Sequence, residues 1–315
     1  MSDIKFGAVA TQAGVSWESL LSVWRDMDVS SNFESMWLMD HFVTSFGTAA
    51  GAEGPCMESW TALAALAQAT NRIRIGILVS GNTYRHPLVL AKQATTVDHI
   101  SNGRLEFGLG AAWHPYEHEA YGIPFYTTRE RLERFDEAVQ YIKLLWTEQS
   151  PTFEGKYYQL DEPPYNPPNV QKPHPPILLG GGGEKKTLLT VAKYADASNV
   201  MGTPEEVAHK FSVLDKHCEK IGRDPSTIRR TIQIPLYLTE DDDFKKRVLQ
   251  GFASTSGTTV DVAAKSLLIG NTDEIKEQVQ AYVDAGVQEF MLAQWPRFHP
   301  DALRRFSDDV IRKFR

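Results

Sequence analysis

The chain has 315 residues, of which 42% are hydrophobic and 23% charged, and its formal net charge is −7. This composition is typical of a globular protein with a large core, and the length suits one α/β barrel. The negative charge and the lack of a Lys/Arg run argue against a nucleic-acid partner, whose phosphates need a basic surface. No stretch of sequence approaches the ~18 apolar residues of a membrane span, so no membrane partner is expected.

Cysteine usage and the N-terminal sequence bear on the compartment. Cys56 and Cys218 are the two cysteines and lie far apart, so neither a disulfide framework nor a cysteine metal site is indicated. The segment MSDIKFGAVA lacks the basic and long apolar regions of a secretion signal. These features predict a cytoplasmic protein.

Short apolar runs alternate with stretches of helical period along the whole chain. The apolar runs predict eight strands, at residues 5–10, 35–40, 73–80, 105–111, 176–181, 197–201, 231–238 and 289–294. Helices are predicted at 17–28, 57–70, 88–100, 128–147, 185–194, 204–221, 272–285 and 301–314. Strands that alternate with helices indicate parallel βαβ units, and mostly apolar strands are typical of a sheet covered on both faces. The sequence therefore predicts a single (β/α)8 TIM barrel domain over residues 1–315.

Two segments exceed what a minimal barrel needs. Residues 151–176 hold eight prolines and the aromatic sequence FEGKYYQL, which predicts an ordered excursion with a short hairpin. Residues 239–269 show a helical segment, a Ser/Thr/Gly break and a second helical segment. This second insertion either caps the core or acts as a substrate lid.

Polar and small residues follow several of the predicted strands, where the active site of such a barrel lies. The candidates are Asp40 and His41 after the second strand, Ser80, Gly81 and Asn82 after the third, Trp113, His114, Glu117, His118 and Glu119 after the fourth, and Gly180, Gly181, Gly182 and Gly183 after the fifth. A glycine backbone that leads into a helix offers a phosphate several N–H donors and the favourable end of the helix dipole. The glycine run therefore predicts either a phosphate site or a plain turn between strand and helix.

Asp40 and His41 suggest acid–base chemistry, because a histidine titrates near neutral pH and a nearby carboxylate can orient it. A structural histidine at the barrel rim is the alternative. His114, Glu117 and His118 are residue types that can bind metals, but the chain has no HExxH or Cys/His framework. No metal site is therefore predicted.

Four stretches of the chain together resemble a known family. They are MWLMDHF, the long block from ESWTALAALAQATNRIRIGILVSGNTYRHP to GLGAAWHPYEHEAYGIPF, PTFEGKYYQL, and PPILLGGGGEKKTLLTVAKYADASNV. The chain resembles the bacterial luciferase-like flavin and deazaflavin oxidoreductases over nearly its whole length, and is most similar to the branch that depends on coenzyme F420. The resemblance implies a (β/α)8 barrel with insertions.

The resemblance also implies roles for individual residues. A non-prolyl cis peptide between Leu78 and Val79 would support the cofactor ring, with Asp40 and His41 at its border. Further cofactor contacts implied in this way are Ser80, Ala111 and Ala112 at the tail and Gly181, Gly182 and Gly183 at the phosphate. His41 matches the family's active-site histidine, and Glu117 matches the glutamate of its W-x-x-x-E pattern. Ala112 departs from the pattern, because many members have glycine there.

The resulting hypothesis is an oxidoreductase that moves a hydride between F420 and an unidentified small organic substrate, with His41 and Glu117 handling the proton. The alternatives are an FMN-dependent monooxygenase, in which reduced flavin activates oxygen, and a non-catalytic cofactor-binding barrel. The family's habit of dimerising predicts a homodimer. Two predicted helices, 57–70 and 88–100, have wide apolar faces that suggest the partner surface. In the first helix this face consists of Trp60, Leu63, Ala64 and Ala67.

Overall fold

The structure, a computed structural model, describes residues 3–44, 52–294 and 300–314. Its barrel strands are Lys5–Val9, Ser35–Leu38, Arg74–Ile77, Leu105–Gly110, Ile177–Gly180, Ala197–Val200, Arg229–Leu238 and Glu289–Ala293. Neighbouring strands pair in parallel in chain order, and the first strand also pairs with the eighth, which closes the sheet. The predicted (β/α)8 barrel is confirmed. The third strand is shorter than predicted, because it stops at Ile77 and pairing with the fourth strand resumes in a separate two-residue strand, Ser80–Gly81.

The helices cover the outside of the barrel. Their bounds are Trp17–Ser30, Ser59–Ala69, Pro87–Ile100, Pro115–Ala120, Thr128–Thr147, Thr187–Tyr194, Pro204–Ile221, Asp242–Ser256, Val260–Ser266, Thr272–Asp284 and Pro300–Asp309. The helix predicted at 185–194 begins two residues later, because a turn at residues 184–186 separates it from the glycine run. Among the described helices, none combines the length and the apolar character that crossing a bilayer requires.

Trp37 fills the interior of the barrel and is fully buried. Side chains on Gly7 or Gly76 would collide with its indole, at 2.9 and 2.5 Å from the added Cβ. The buried carboxylates of Glu106 and Glu289 are both paired with the half-buried Arg229, at 2.7 Å each. The barrel is thus a packed core, and its open space lies at the mouth.

The helix Ser59–Ala69 turns its large apolar side chains inward. Trp60, Leu63 and Ala67 are at most 2% exposed and belong to the main core. The sequence argument that these residues form a partner surface is therefore wrong, because the chain's own barrel covers them. On the neighbouring helix, Leu88 and Val89 are exposed, and the homodimer itself stays a prediction.

Both predicted excursions are ordered. In the first, Thr152–Glu154 pairs antiparallel with Gln159–Asp161, which confirms the hairpin. In the second, two helices and the strand Leu268–Gly270 extend the barrel, since this strand pairs in parallel with the end of the seventh barrel strand. The insertion has its own small apolar cluster, formed by Leu249, Ala253, Ala263, Leu267 and Ile269. This packing is that of a cap on the barrel, and its role as a lid remains untested.

Candidate active site

A cavity of about 390 Å³ lies at the carboxyl ends of the barrel strands. It extends from the end of the second strand to the seventh, so it crosses the barrel mouth. All the predicted cofactor-binding residues line it together with His41, namely Asp40, Leu78, Val79, Ser80, Ala111, Ala112, Gly181, Gly182 and Gly183. Glu117 does not line this cavity; it is fully buried behind His41.

His41 and Glu117 form a hydrogen-bonded pair. Nδ1 of His41 lies 2.9 Å from Oε2 of Glu117, and the Tyr84 hydroxyl donates to the same oxygen at 2.5 Å. The other oxygen accepts the backbone N–H groups of Phe42 and Val43, at 2.7 and 3.1 Å. Glu117 comes from the helix Pro115–Ala120, whose N-cap is the buried His114. The carboxylate therefore ties the segment after the second strand to the segment after the fourth.

The surroundings of Glu117 favour its ionised form. Burial alone would raise its pKa, but the bonds from His41, Tyr84 and Phe42 outweigh burial and lower the pKa of Glu117 to about 2. Burial and the adjacent Glu117 carboxylate raise the pKa of Tyr84, which keeps the phenol protonated as a donor. An ionised Glu117 can only accept, so Nδ1 of His41 carries the hydrogen. Nε2 is then the ring nitrogen that can exchange a proton with a ligand in the cavity.

Asp40 has a different set of contacts. Arg85 binds it through both guanidinium nitrogens, at 2.6 and 2.9 Å. The Ser59 hydroxyl and the Gly81 N–H also donate to the Asp40 carboxylate, at 2.7 and 2.9 Å. Asp40 is 3% exposed. Arg85 reaches on to Glu58 at 2.5 Å. Both oxygens of Asp40 therefore accept hydrogen bonds, from donors on three segments at the barrel mouth. Asp40 links these segments beside His41.

The floor of the cavity is formed where the third strand is interrupted. The bond between Leu78 and Val79 is cis, as the resemblance implies. Val79 packs against glycines of the fourth and fifth strands, since an added Cβ would lie 2.7 Å from it at Gly110 and 3.0 Å at Gly180. Ser80 lies in this floor with its hydroxyl accepting from Trp60 Nε1 at 3.1 Å. Small residues are therefore required around an apolar platform.

Ala112 ends the fourth strand's extension with a left-handed backbone, φ +61°. Glycine adopts that conformation without strain, whereas alanine adopts it only at an energetic cost. In this chain the Arg131 guanidinium donates to the Ala112 carbonyl and holds the segment.

The glycine loop 181–183 lies across the mouth from His41. Gly181 has φ +127° and donates its N–H to Asn199 at 3.0 Å. An added Cβ at Gly182 would lie 3.1 Å from the Lys210 ammonium, so a cation stands beside the loop. The next residue, Glu184, points its carboxylate at His209, at 2.9 Å, and is half-exposed. The loop and Lys210 together make this end of the cavity suitable for an anion.

The sequence predicts no metal site, but the structure brings one cluster of possible metal ligands together. Ligand atoms of His41, His114 and Glu117 lie within 4.8 Å of one another, a group that could hold an ion. Both Glu117 oxygens already accept hydrogen bonds from protein donors. An ion bound there would compete with these donors for the Glu117 carboxylate.

Of the candidates at the strand ends, Gly81, Trp113 and Gly180 also line the cavity. The sequence did not point to several further lining residues, which are Met39, Tyr84, Gly110, Thr187, Asn199, Val200, Met201, Lys210 and Gln233. A partial signal existed for Gln233, which is a polar residue within an apolar strand. Lys210 gave none, because it lies on the helix that follows the sixth strand, whereas the loop it contacts follows the fifth.

The fold and this site define a (β/α)8 barrel with a cavity at its mouth and the hydrogen-bonded His41–Glu117 pair at one side of it. The sequence model of the luciferase-like monooxygenases matches residues 7–256. The chain belongs to the luciferase-like monooxygenase family, whose members are oxidoreductases and monooxygenases.

Three relatives illustrate the range of the family. An uncharacterised protein of Mycobacterium tuberculosis (strain H37Rv) is 31% identical over 168 residues, 53% of this chain and 58% of the relative, so the chain spans little more than half of that relative's length. An F420-dependent glucose-6-phosphate dehydrogenase of Kineococcus radiotolerans is 29% identical over 308 residues, 88% of each chain. An FMNH(2)-dependent dimethylsulfone monooxygenase of Pseudomonas putida is 31% identical over 179 residues, 55% of this chain and 49% of the relative.

Among solved structures, an F420-dependent secondary alcohol dehydrogenase in complex with an F420-acetone adduct superimposes with a TM-score of 0.87. It covers all of both chains at 19% identity. At this identity the likeness supports the fold alone.

Proposed function

We propose that this protein is an oxidoreductase that transfers a hydride between coenzyme F420 and a small organic substrate. One observation carries the proposal: a single cavity is lined at one side by His41, which is hydrogen-bonded to Glu117, and at the other side by residues 181–183 and Lys210. A cofactor with a redox-active ring and a phosphate needs a proton-transfer group near the ring and an anion-binding group near the phosphate. The cavity supplies them on opposite sides of the barrel mouth.

The residues present fit such a cofactor. Leu78 and Val79 offer an apolar platform for a flat ring, and the glycines beside Val79 leave room above the strands. The Gly182 and Gly183 N–H groups and the Lys210 ammonium would hold the phosphate. Bound F420 would supply the position that accepts or donates the hydride, which no protein side chain can provide.

His41 would handle the proton that accompanies the hydride. With Glu117 ionised, Nε2 of His41 accepts a proton from a substrate hydroxyl, or returns it to a carbonyl in the reverse direction. The Glu117 carboxylate stabilises the imidazolium that forms and fixes the ring orientation. Because Glu117 is buried away from the cavity, we assign it a positioning role and His41 the catalytic one.

An FMN-dependent monooxygenase is the second candidate. The anion-binding end would suit FMN equally, and a relative named for FMNH(2) matches 55% of the chain. F420 is preferred because the relatives named for that coenzyme match 88 to 90% of the chain. We also propose that the protein is a homodimer, because dimers are common in the family that it resembles.

The phosphate end is tested with Gly182→Asp. The new carboxylate would pair with Lys210 and repel the phosphate, so F420 and FMN should each bind at least ~10-fold more weakly, about 1.4 kcal/mol. Riboflavin, which lacks the phosphate, should bind as before. Gly251→Asp is the matched control, since the added Cβ there meets open space. Unchanged binding of the phosphate-bearing cofactors would show that the loop is not the phosphate site.

The acid–base role is tested with His41→Ala. Cofactor affinity should stay within a few-fold, while single-turnover oxidation of reduced F420 by small carbonyl compounds should slow by ~10²–10⁴, the usual range for a general acid or base. Circular dichroism checks that the variant is folded. A wild-type rate in this variant would show that His41 takes no part in proton transfer.

A further inference from the structure

We infer that Gln233 binds the substrate, through a substrate group that is uncharged and both donates and accepts hydrogen bonds, of which a carboxamide is the matching type. The inference rests on the proposed function and adds one recognition element of the substrate. It depends on the place of Gln233 in the barrel and on the hydrogen-bonding groups of its side chain.

Gln233 lies on the inner face of the seventh barrel strand. It lines the cavity, and its register partner on the eighth strand is Met291, which is fully buried inside the barrel. Its neighbours along the strand, Ile232 and Ile234, point to the opposite face and belong to the main apolar core. Gln233 therefore presents a polar group to the cavity from a strand whose outer face is apolar.

Gln233 also lies across the barrel mouth from the platform formed by Leu78 and Val79. In the closed sheet, three strands separate the third strand from the seventh on either side. A cofactor ring that rests on the platform therefore turns its other face towards the seventh strand. The interior of an eight-stranded barrel is narrow and has room for one small ligand. A substrate stacked on the open face of the ring, in the cavity that His41 also lines, therefore contacts Gln233.

The carboxamide of Gln233 is not used by the fold. Within the part of the chain that the structure describes, neither its oxygen nor its nitrogen has a hydrogen-bond partner. Asn199, the carboxamide on the neighbouring strand, shows the contrast, because its Nδ2 donates to Thr231 Oγ1 at 2.8 Å. Asn199 thus links two strands, whereas both N–H donors and the oxygen of Gln233 are left for a ligand.

A carboxamide pairs best with a group that carries an acceptor and a donor side by side. Such a group accepts from the Gln233 nitrogen and donates to its oxygen, so both ends of the side chain are used at once. A ligand with an acceptor alone displaces water from the oxygen without replacing its hydrogen bond. Sites that hydrogen-bond a ligand group discriminate strongly against analogues that lack it. The substrate class is therefore a molecule with a carboxamide-like group on the side of the ring that faces Gln233.

The test is calorimetric titration of the protein saturated with oxidised F420, with benzamide and acetophenone as probes. The two molecules have the same shape, but acetophenone carries a methyl group in place of the amide nitrogen. Benzamide should bind the wild type at least ~10-fold more tightly than acetophenone does. In Gln233→Met, which keeps the length of the side chain and removes its hydrogen-bonding groups, this preference should disappear. The affinity for F420 should stay within a few-fold, because the carboxamide faces the substrate.

Two further variants make the result specific. Gln280→Met is the matched control, since Gln280 is exposed on the helix Thr272–Asp284 and does not line the cavity, and it should keep the preference for benzamide. Gln233→Glu keeps the shape of the side chain but replaces the donor nitrogen with oxygen, so it should lose the preference as well. Circular dichroism checks that each variant is folded.

The outcomes separate the inference from the proposed function. Equal binding of the two probes by the wild type, no binding of benzamide, or a preference retained in a folded Gln233 variant would each overturn the inference and leave the F420 proposal standing. Loss of F420 affinity by more than ~10-fold in Gln233→Met would place the carboxamide against the cofactor and would also overturn it. Failure of the wild type to bind F420 in the preceding saturation step would overturn both.

Discussion

Replacing Glu117 with glutamine should disable His41 without touching the cavity. The glutamine oxygen can still accept from Phe42 and Val43, but its amide group would face Nδ1 of His41 with hydrogens. Nδ1 must then become an acceptor, which moves the ring hydrogen to Nε2. In that tautomer His41 cannot take a proton from a substrate hydroxyl, so turnover should fall by ~10²–10⁴.

The cost in stability follows from the same contacts. Charge-assisted hydrogen bonds contribute about 1.5–3 kcal/mol each, and the substitution removes the charge from those made by His41 and Tyr84. The Tyr84 hydroxyl can turn and accept from the amide, so we expect a loss of about 3 kcal/mol. Proton linkage gives a similar figure: lowering the Glu117 pKa from 4.5 to about 2 corresponds to about 3 kcal/mol. Because the folded pKa is the lower one, this stability is present above pH ~4.5 and is lost as the pH falls towards 2.

Three measurements check the prediction. Urea unfolding gives the stability change, nitrogen-15 NMR of the imidazole gives the tautomer, and single-turnover oxidation of reduced F420 gives the rate. Glu119→Gln is the matched control, since that glutamate lies on the same short helix and is exposed. If Glu117→Gln kept the Nδ1–H tautomer and the wild-type rate, the positioning role of Glu117 would be refuted.

The remaining predictions concern the supports of the site and the assembly. Arg85→Met leaves the Asp40 carboxylate buried without its main partner, and urea unfolding should show a loss of about 3–5 kcal/mol; a loss below about 1 kcal/mol would contradict the linking role of Asp40. His217→Ala removes the bond from Nε2 to the Glu184 carbonyl at 2.7 Å, and should weaken FMN binding several-fold but not riboflavin binding, with equal weakening of both as the contrary result. Light scattering at micromolar concentration should give the mass of a dimer, and Val89→Asp, at a 50% exposed position, should shift it towards monomer; a monomeric wild type would remove the assembly claim.

The sequence predicted the barrel well, because its strands are short apolar runs between helices of clear period. It could not show the break in the third strand, because Ile77, Leu78 and Val79 continue its apolar pattern and the interruption depends on contacts with the fourth and fifth strands. The start of the helix at Thr187 was also missed, since the turn before it contains residues that suit a helix.

The candidate site was also predicted only in part. His41, Glu117 and the glycine loop were identified through strand ends and resemblance, but no local pattern shows that Glu117 lies behind His41 or that Arg85 pairs with Asp40, 45 positions earlier. Lys210 was missed because its proximity to Gly182 arises only when two neighbouring βα units pack together. Long-range charge pairing follows from topology and packing, which a single sequence does not display.

The central claim is that this barrel binds the deazaflavin coenzyme in the cavity between His41 and Lys210. Titration of the purified apoprotein with F420 and, separately, with FMN, followed by cofactor fluorescence, tests it most directly. We expect F420 to bind at least ~10-fold more tightly than FMN, a difference of about 1.4 kcal/mol. Equal affinities, or tighter binding of FMN, would contradict it and favour the flavin-dependent monooxygenase.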